Sequence, residues 1–215
     1  MLFSTHPHFG DAMPPTSRAP GLVPRLLLAA TLTVCAQAAH ALDIHGVQIE
    51  PSQQLAGKNL VLNGAGTRYF VFFKVYVAAL YLPSKTGSAK AALDMPGPKE
   101  LHLVMLRNIS GKELGDKLTE GIQNNVSAQE FSGLIPAMAR LGGLFARKRN
   151  LKTGETVSLR FVPGQGTTID IDGAPADAPY AEPDFFNAML KIWLGKDPAD
   201  ARLKGALLGD AAQSN

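Results

Sequence analysis

The stretch LVLNGAGTR, residues 60–68, leads directly into YFVFFKVYVAALYL, residues 69–82, which Pro83 closes. The second half is rich in aromatic and β-branched residues, which favour β-strands, and Asn63-Gly64 with Gly66 is typical of a turn. This pattern predicts one long central strand, or two strands that meet at a bulge or tight turn near Phe73-Lys74. Because the run is apolar on both faces, we expect both faces of the sheet to be covered.

Further strands and helices are predicted on both sides of this stretch. Residues 42–49, 101–107, 155–162 and 167–171 have strand-like patterns. Ser110 and Ser127 each precede a glutamate by three residues, which predicts helices from these serines to about residues 124 and 145. Further helices are expected at 88–95, 183–194 and, capped by Asp197, up to about residue 208. The fold class is therefore α+β, with an antiparallel sheet on one side and helices on the other.

The N-terminal part of the chain is typical of a secretory signal peptide. Arg18 and Arg25 precede a short apolar run, LLLAATLTVC, and Ala39-His40-Ala41 fits a cleavage site. We therefore expect residues 1–41 to be a signal peptide cleaved after Ala41, and residues 42–215 to form one domain. The apolar run is shorter than the roughly 18 residues that span a bilayer. The mature protein is expected to be periplasmic or secreted, with no membrane span.

Composition excludes several classes of function. The chain of 215 residues carries a net charge of +3, and the leader contributes part of it, so a nucleic-acid partner is not expected. The single cysteine, Cys35, lies in the leader, which leaves no disulfide, thiolate metal site or cysteine nucleophile. Only His45 and His102 remain beyond the leader. We therefore expect no metal site and no cofactor.

Arg68 is the most informative charged residue, because it stands at the head of the apolar run. Period-two counting places Arg68, Phe70, Phe72, Lys74 and Tyr76 on one face of a strand, if no bulge intervenes. A cation on an aromatic face needs a partner, since an unpaired buried charge costs several kcal/mol.

The residues alone are compatible with two kinds of partner for Arg68. One is an internal carboxylate, such as Glu113 or Asp116. The other is an anionic ligand, whose carboxylate or phenolate is held by the guanidinium while its apolar body lies along the phenylalanines.

Several segments together resemble a known family. Gly66-Thr-Arg68 followed by FKVYVAALYL, residues 73–82, resembles the chalcone isomerase superfamily, especially its bacterial chalcone isomerase-like branch. ISGKELGDKL, residues 109–118, is similar to the family's helix opening, and IWLGKDP, residues 192–198, to its closing segment. The resemblance implies an open-faced sandwich: an antiparallel sheet backed by a helical layer, with a ligand cleft between them.

The resemblance also bears on activity. Chalcone isomerases cyclise a chalcone to a flavanone, whereas relatives without that activity bind fatty acids through an arginine and a tyrosine. Here the arginine corresponds to Arg68 and the tyrosine of the fatty-acid-binding branch to Tyr76. The catalytic tyrosine falls at about Leu114, and two further polar positions fall near Gly121 and Ile192. Because these side chains cannot donate hydrogen bonds, efficient chalcone cyclisation is not expected.

The resulting hypothesis is an exported, non-catalytic protein that binds a small apolar anionic ligand, such as a fatty acid or phenolic acid. The resemblance implies that Arg68 holds the carboxylate and that Tyr76 is a second donor, with Phe70 and Phe72 as walls. One alternative is an isomerase or intramolecular lyase acting on an enone or phenolic substrate, with Arg68 stabilising the anion. Another is a structural or interaction module of the cell envelope whose cleft is filled.

Overall fold

A computed structural model describes residues 41–210. The predicted signal peptide therefore lies outside the described residues, except for Ala41. The strands are β1 Leu42–Ile44, β2 Val47–Ile49, β3 Ser52–Leu55, β4 Lys58–Phe70, β5 Phe73–Leu82, β6 Lys99–Met105, β7 Ile109–Ser110, β8 Asn150–Leu151, β9 Thr156–Val162, β10 Gly166–Ile171 and β11 Ala174–Pro175. The helices are α1 Ala89–Asp94, α2 Gly111–Asn125, α3 Ala128–Arg147, α4 Phe185–Leu194 and α5 Ala201–Leu207.

One seven-stranded antiparallel sheet organises the domain. Its strand order is β11-β10-β9-β6-β5-β4-β3, so the apolar strand β5 lies inside the sheet between β6 and β4. Two short hairpins, β1-β2 and β7-β8, form separate pairs. The predicted α+β class, with an antiparallel sheet and a helical layer, is confirmed.

Residues 60–82 lie in a hairpin of two strands, β4 and β5. Phe70 pairs with Phe73, so the connection is the two residues Val71-Phe72. The two-strand alternative is therefore correct, but the turn lies two residues before the predicted position. Strand β4 already begins at Lys58, and its register shifts between Arg68 and Tyr69.

Gly64 and Gly66 lie within strand β4, so the predicted turn at Asn63-Gly64 and Gly66 is wrong. Their role is close packing against helix α5. A Cβ atom on Gly64 would lie 2.1 Å from the carbonyl oxygen of Ala206, and one on Gly66 would lie 2.6 Å from Ala206 Cβ. Asn63 Nδ2 also donates a 2.7 Å hydrogen bond to the carbonyl oxygen of Leu207, which anchors the end of α5.

Both faces of β5 are covered, as the apolar pattern predicts. Toward the helices, Ala78, Leu80 and Leu82 are fully buried in the main core. On the other face, the β1-β2 hairpin contributes Ile44 and Ile49 to a second apolar cluster. The remaining buried members of that second cluster are Leu60, Ala65, Val77, Ala79 and Tyr81.

Side-chain caps lie at the start of helices α1, α2, α3 and α5. The Ser127 hydroxyl accepts from Glu130 N–H and the Glu130 carboxylate accepts from Ser127 N–H, which confirms the predicted capping box of α3. Ser110 caps α2 by accepting from the N–H of Glu113. Helix α5 begins three residues later than predicted from Asp197, because Asp200 is the N-cap residue.

Candidate functional site

A cavity of about 510 Å³ lies between the sheet and the helical layer. Strands β4 and β5 form one wall, helices α2 and α4 form the opposite wall, and the segment before α5 closes one side. A volume in this range is typical of small-ligand sites. The apolar lining consists of Phe70, Phe73, Val75, Ile109, Leu114, Leu118, Ile192, Trp193, Pro198 and Ala199.

Arg68 lines this cavity from strand β4, directly opposite Tyr76 on β5. Its guanidinium Nη1 lies 3.6 Å from Asp200 Oδ2, and its side chain is 20% exposed. The internal partner is therefore neither Glu113 nor Asp116. Asp116 pairs with a lysine on its own helix at 2.6 Å, whereas Glu113 is an exposed residue that also lines the cavity.

Asp200 has further partners besides Arg68. Its Oδ1 accepts from the backbone N–H groups of Arg202 and Leu203 at 2.9 and 3.2 Å, and its Oδ2 accepts from Tyr69 N–H at 3.1 Å. These backbone donors at the start of α5 stabilise the carboxylate. The 3.6 Å contact to Arg68 is longer than a good N–H···O hydrogen bond, so the guanidinium keeps donors for another acceptor.

Tyr76 is buried in the same wall of the cavity. Trp193 Nε1–H donates a 2.9 Å hydrogen bond to its phenolic oxygen. Burial raises the pKa of Tyr76 to about 12, although Trp193 and Arg68 act in the opposite direction. The phenol is therefore neutral near pH 7, and because its oxygen accepts from Trp193, its own O–H remains a donor.

The phenylalanines of the hairpin do not all line the cavity. Phe70 and Phe73 lie at its mouth and are 56% and 57% exposed. Phe72 lies at the turn, is 89% exposed and is not part of the lining. The expected Phe72 wall is absent because the chain reverses at Val71-Phe72 instead of continuing the two-residue period. Phe73, which pairs with Phe70, stands in its place.

The three helix positions implied by the family resemblance do meet at the cavity. Leu114 and Gly121 from α2 and Ile192 from α4 all line it. A Cβ atom on Gly121 would lie 2.8 Å from Ile192 Cγ2, so the glycine allows the two helices to approach closely. This part of the wall therefore presents hydrocarbon to a ligand.

Charges of both signs surround the mouth of the cavity. The lining includes the exposed residues Arg107, Glu113, Lys117, Glu120 and Asp197. Lys117 and Glu120 pair with each other at 2.6 Å. The mouth thus carries mixed charge, while Arg68 and Tyr76 are the less exposed polar residues of the wall.

Trp193 and Asp200 belong to the site in the structure but were not among the site residues predicted from the sequence. Trp193 is the only tryptophan in the chain and lies in a helix that was predicted, but its position in that helix does not reveal its partner. Asp200 could have been recognised as a cap, because it directly precedes α5.

No group of three or more histidine, cysteine, aspartate or glutamate side chains within residues 41–210 is arranged to hold a metal ion. In the same range, no helix combines the length and apolarity needed to cross a membrane.

Comparison with known proteins identifies a structural neighbour and a family. No curated protein matches the chain. A crystal structure of a fatty-acid binding protein from Arabidopsis thaliana superposes with a TM-score of 0.60 at 14% identity, covering 77% of this chain and 96% of the other. At that identity the likeness shows a shared fold. The family described as chalcone isomerase-like matches residues 41–209. The chain therefore belongs to the chalcone isomerase-like family.

Proposed function

We propose that this protein binds an apolar carboxylate, such as a fatty acid or phenolic acid, in the cavity between sheet and helices. The observation that carries the proposal is the pairing of Arg68 and Tyr76 on adjacent strands in the wall of an apolar cavity. The fold shared with a fatty-acid binding protein of Arabidopsis thaliana supports binding as the general function.

Arg68 would hold the carboxylate of the ligand through charge-assisted hydrogen bonds. Asp200 orients the guanidinium of Arg68, and its carboxylate also accepts from three backbone N–H groups. The guanidinium therefore keeps N–H donors for a ligand. Tyr76 would supply a second, uncharged donor, because a tyrosine phenol is protonated near pH 7 and burial raises its pKa further. A carboxylate held by both side chains would keep its negative charge partly compensated inside the cavity.

The apolar body of the ligand would lie between the apolar residues of the two walls. Phe73 and Val75 from β5 and Leu114 and Ile192 from the helices are apolar residues of the lining. Each methylene group that leaves water contributes about 0.8 kcal/mol, so the tail would supply much of the affinity.

The helical wall of the cavity favours binding over turnover. An isomerase or intramolecular lyase needs hydrogen-bond donors at the enone oxygen, where negative charge develops in the transition state. The side chains of Leu114 and Ile192 have no polar hydrogens. A panel of chalcones and enones tests this alternative directly. Turnover that Arg68→Ala abolishes would contradict the non-catalytic proposal, and background rates would agree with it.

Export is part of the proposal and is supported by the N-terminal sequence pattern. The apolar run after Arg25 and the segment Ala39-His40-Ala41 predict cleavage after Ala41. N-terminal sequencing of protein recovered from the periplasm or medium should then begin at Leu42. Recovery of only full-length protein from the cytoplasm would contradict export.

Ligand binding can be followed through Trp193, because the chain has one tryptophan and it lines the cavity. Titration with fatty acids should change its fluorescence. For Arg68→Ala, loss of a charged hydrogen-bond partner should weaken fatty-acid binding by roughly 10- to 100-fold. The matching fatty alcohol should bind both proteins similarly, since it offers no carboxylate.

Arg149→Ala is the matched control, because Arg149 is exposed and does not line the cavity. It should bind the fatty acid as the unaltered protein does. Equal affinity of Arg68→Ala and the unaltered protein for the acid would contradict the role of Arg68. A lack of any fluorescence response, together with no rise in melting temperature, would contradict the proposal as a whole.

A further inference from the structure

The tip of the β4–β5 hairpin exposes four large apolar side chains in succession. Phe70, Val71, Phe72 and Phe73 are 56%, 69%, 89% and 57% exposed. Single exposed apolar residues are common on protein surfaces, but a contiguous group marks an interaction site. We call these four residues the apolar tip.

The backbone of the apolar tip does not favour the residues found there. Val71 has a φ of +57°, in the left-handed region that suits glycine, and a β-branched residue is rare in it. Two-residue hairpin turns usually contain glycine, asparagine or aspartate at such positions. Local stability therefore does not explain Val71-Phe72, whereas an interaction made by these side chains does.

Two cations flank the apolar tip. The Arg107 guanidinium lies over the Phe73 ring, 4.8 Å from its centroid. Lys74 follows the tip directly, and its Nζ lies 3.1 Å from His45 Nδ1. Neither cation forms a salt bridge with any residue in the range 41–210. Aromatic side chains beside unpaired Lys and Arg suit the boundary between acyl chains and anionic head groups.

The apolar tip is continuous with the mouth of the cavity. Phe70, Phe73 and Arg107 belong to both. A surface that receives the tip would therefore also face the cavity opening. Among possible occupants, an anionic bilayer fits the apolar side chains of the tip and the two cations beside it, Arg107 and Lys74. The carboxylates of the mouth lie on α2 and in the segment before α5, not on the hairpin.

We propose that the apolar tip docks this protein on an anionic lipid bilayer, so that an apolar ligand passes between the bilayer and the cavity without crossing water. The docking step stands on the apolar tip and the two cations that flank it. The transfer of ligand rests on the proposed function of the cavity.

The experiment is co-sedimentation of the purified protein with vesicles of phosphatidylcholine, with and without phosphatidylglycerol. The unaltered protein should bind the anionic vesicles, and salt should weaken that binding. The double variant Val71→Gly with Phe72→Ser should reduce the partition coefficient by at least about tenfold, because it removes the most exposed apolar side chains. Glycine suits the left-handed position, so the melting temperature should be preserved.

Ile135→Ser is the matched control, since Ile135 is 55% exposed but lies on helix α3, outside the lining of the cavity. It should bind vesicles as the unaltered protein does. Equal vesicle binding by the double variant, or no vesicle binding by the unaltered protein, would overturn the docking proposal. A dimer of the unaltered protein that the double variant makes monomeric, without vesicle binding, would assign the tip to a second copy of the chain.

The two proposals can fail separately. The double variant leaves the cavity lining intact, so its Trp193 titration with soluble fatty acid should match that of the unaltered protein. Vesicle binding without a Trp193 response would remove the ligand proposal and retain docking. A Trp193 response without vesicle binding would remove docking and retain the ligand proposal.

Discussion

Arg68 and Tyr76 form the polar centre of the site, and each has one partner from the helical side of the domain. Asp200 at the start of α5 orients Arg68, and Trp193 on α4 hydrogen-bonds Tyr76. These contacts fix two donors on adjacent strands in the orientation that the proposed ligand requires. Side chains held in place in this way lose little conformational entropy on binding.

Tyr76→Phe should lower the free energy of unfolding by about 1–3 kcal/mol, because it leaves the buried Trp193 N–H without its acceptor. Urea unfolding measures the change. Tyr69→Phe is the matched control: Tyr69 is partly exposed, and its hydroxyl has only a 3.5 Å contact with His45. A cost for Tyr76→Phe no larger than that for Tyr69→Phe would show that the Trp193 hydrogen bond contributes little.

Arg68 and Tyr76 are predictable from the sequence, but their partners are not. Arg68 is predictable because a cation at the head of an apolar strand needs a partner. Tyr76 lies on the same predicted face, and the family resemblance implies its role as a second donor. Asp200 and Trp193 lie more than a hundred residues further along the chain, and no local pattern links them to the hairpin. Such pairings arise only when the helices pack on the sheet.

At the scale of elements, helix α5 packs closely against strand β4 of the β4–β5 hairpin. Asn63, Gly64 and Gly66 read as a turn in sequence because asparagine and glycine favour turns. In the structure the two glycines instead let α5 approach β4, and the asparagine binds the end of that helix. The helix in turn presents Asp200 to Arg68. Close backbone approach and turn formation both select glycine, so local sequence could not separate them.

Gly64→Ala should therefore destabilise the domain, by about 1–3 kcal/mol or more, because its Cβ would meet backbone rather than a movable side chain. Thermal unfolding measures the loss. Gly142→Ala is the control: nothing lies within 4 Å of its Cβ, and it sits inside helix α3. Alanine there should stabilise the helix by up to about 1 kcal/mol. Similar melting temperatures for the two variants would contradict the packing role of Gly64.

At the scale of the molecule, the fold can be predicted from the sequence, but the shape of the cavity cannot. Helix starts such as Ser110 and Ser127 have local caps, and the strands have local periodicity, so both were predicted close to their observed positions. The cavity depends on where elements distant in sequence meet. The turn at Val71-Phe72, which moves Phe72 out of the wall, was hidden because its residues are not typical of turns.

The buried phenol also makes a prediction for the whole molecule at alkaline pH. The pKa of Tyr76 is raised by burial to about 12, against about 10 in an unfolded chain. Between these values the unfolded chain loses the proton and the folded chain keeps it. Stability should therefore fall as pH rises through this range, by up to about 1.4 kcal/mol per pH unit for this group.

Urea unfolding at about pH 9 and about pH 11 measures this effect. Tyr76→Phe lacks the titrating group, so its stability should decline less than that of the unaltered protein. Comparing the two proteins cancels the contributions of other groups, including Tyr81, whose pKa burial also raises to about 12. An identical decline in both proteins would contradict the assignment to Tyr76.

The central claim is that Arg68 receives a carboxylate in the cavity. A crystal structure of the protein grown with lauric acid tests it most directly. We predict one ligand in the cavity, with a carboxylate oxygen about 2.7–2.9 Å from an Arg68 guanidinium nitrogen and the chain along Phe73 and Leu114. An empty cavity at saturating lauric acid, or a carboxylate facing solvent while Arg68 contacts only Asp200, would contradict it.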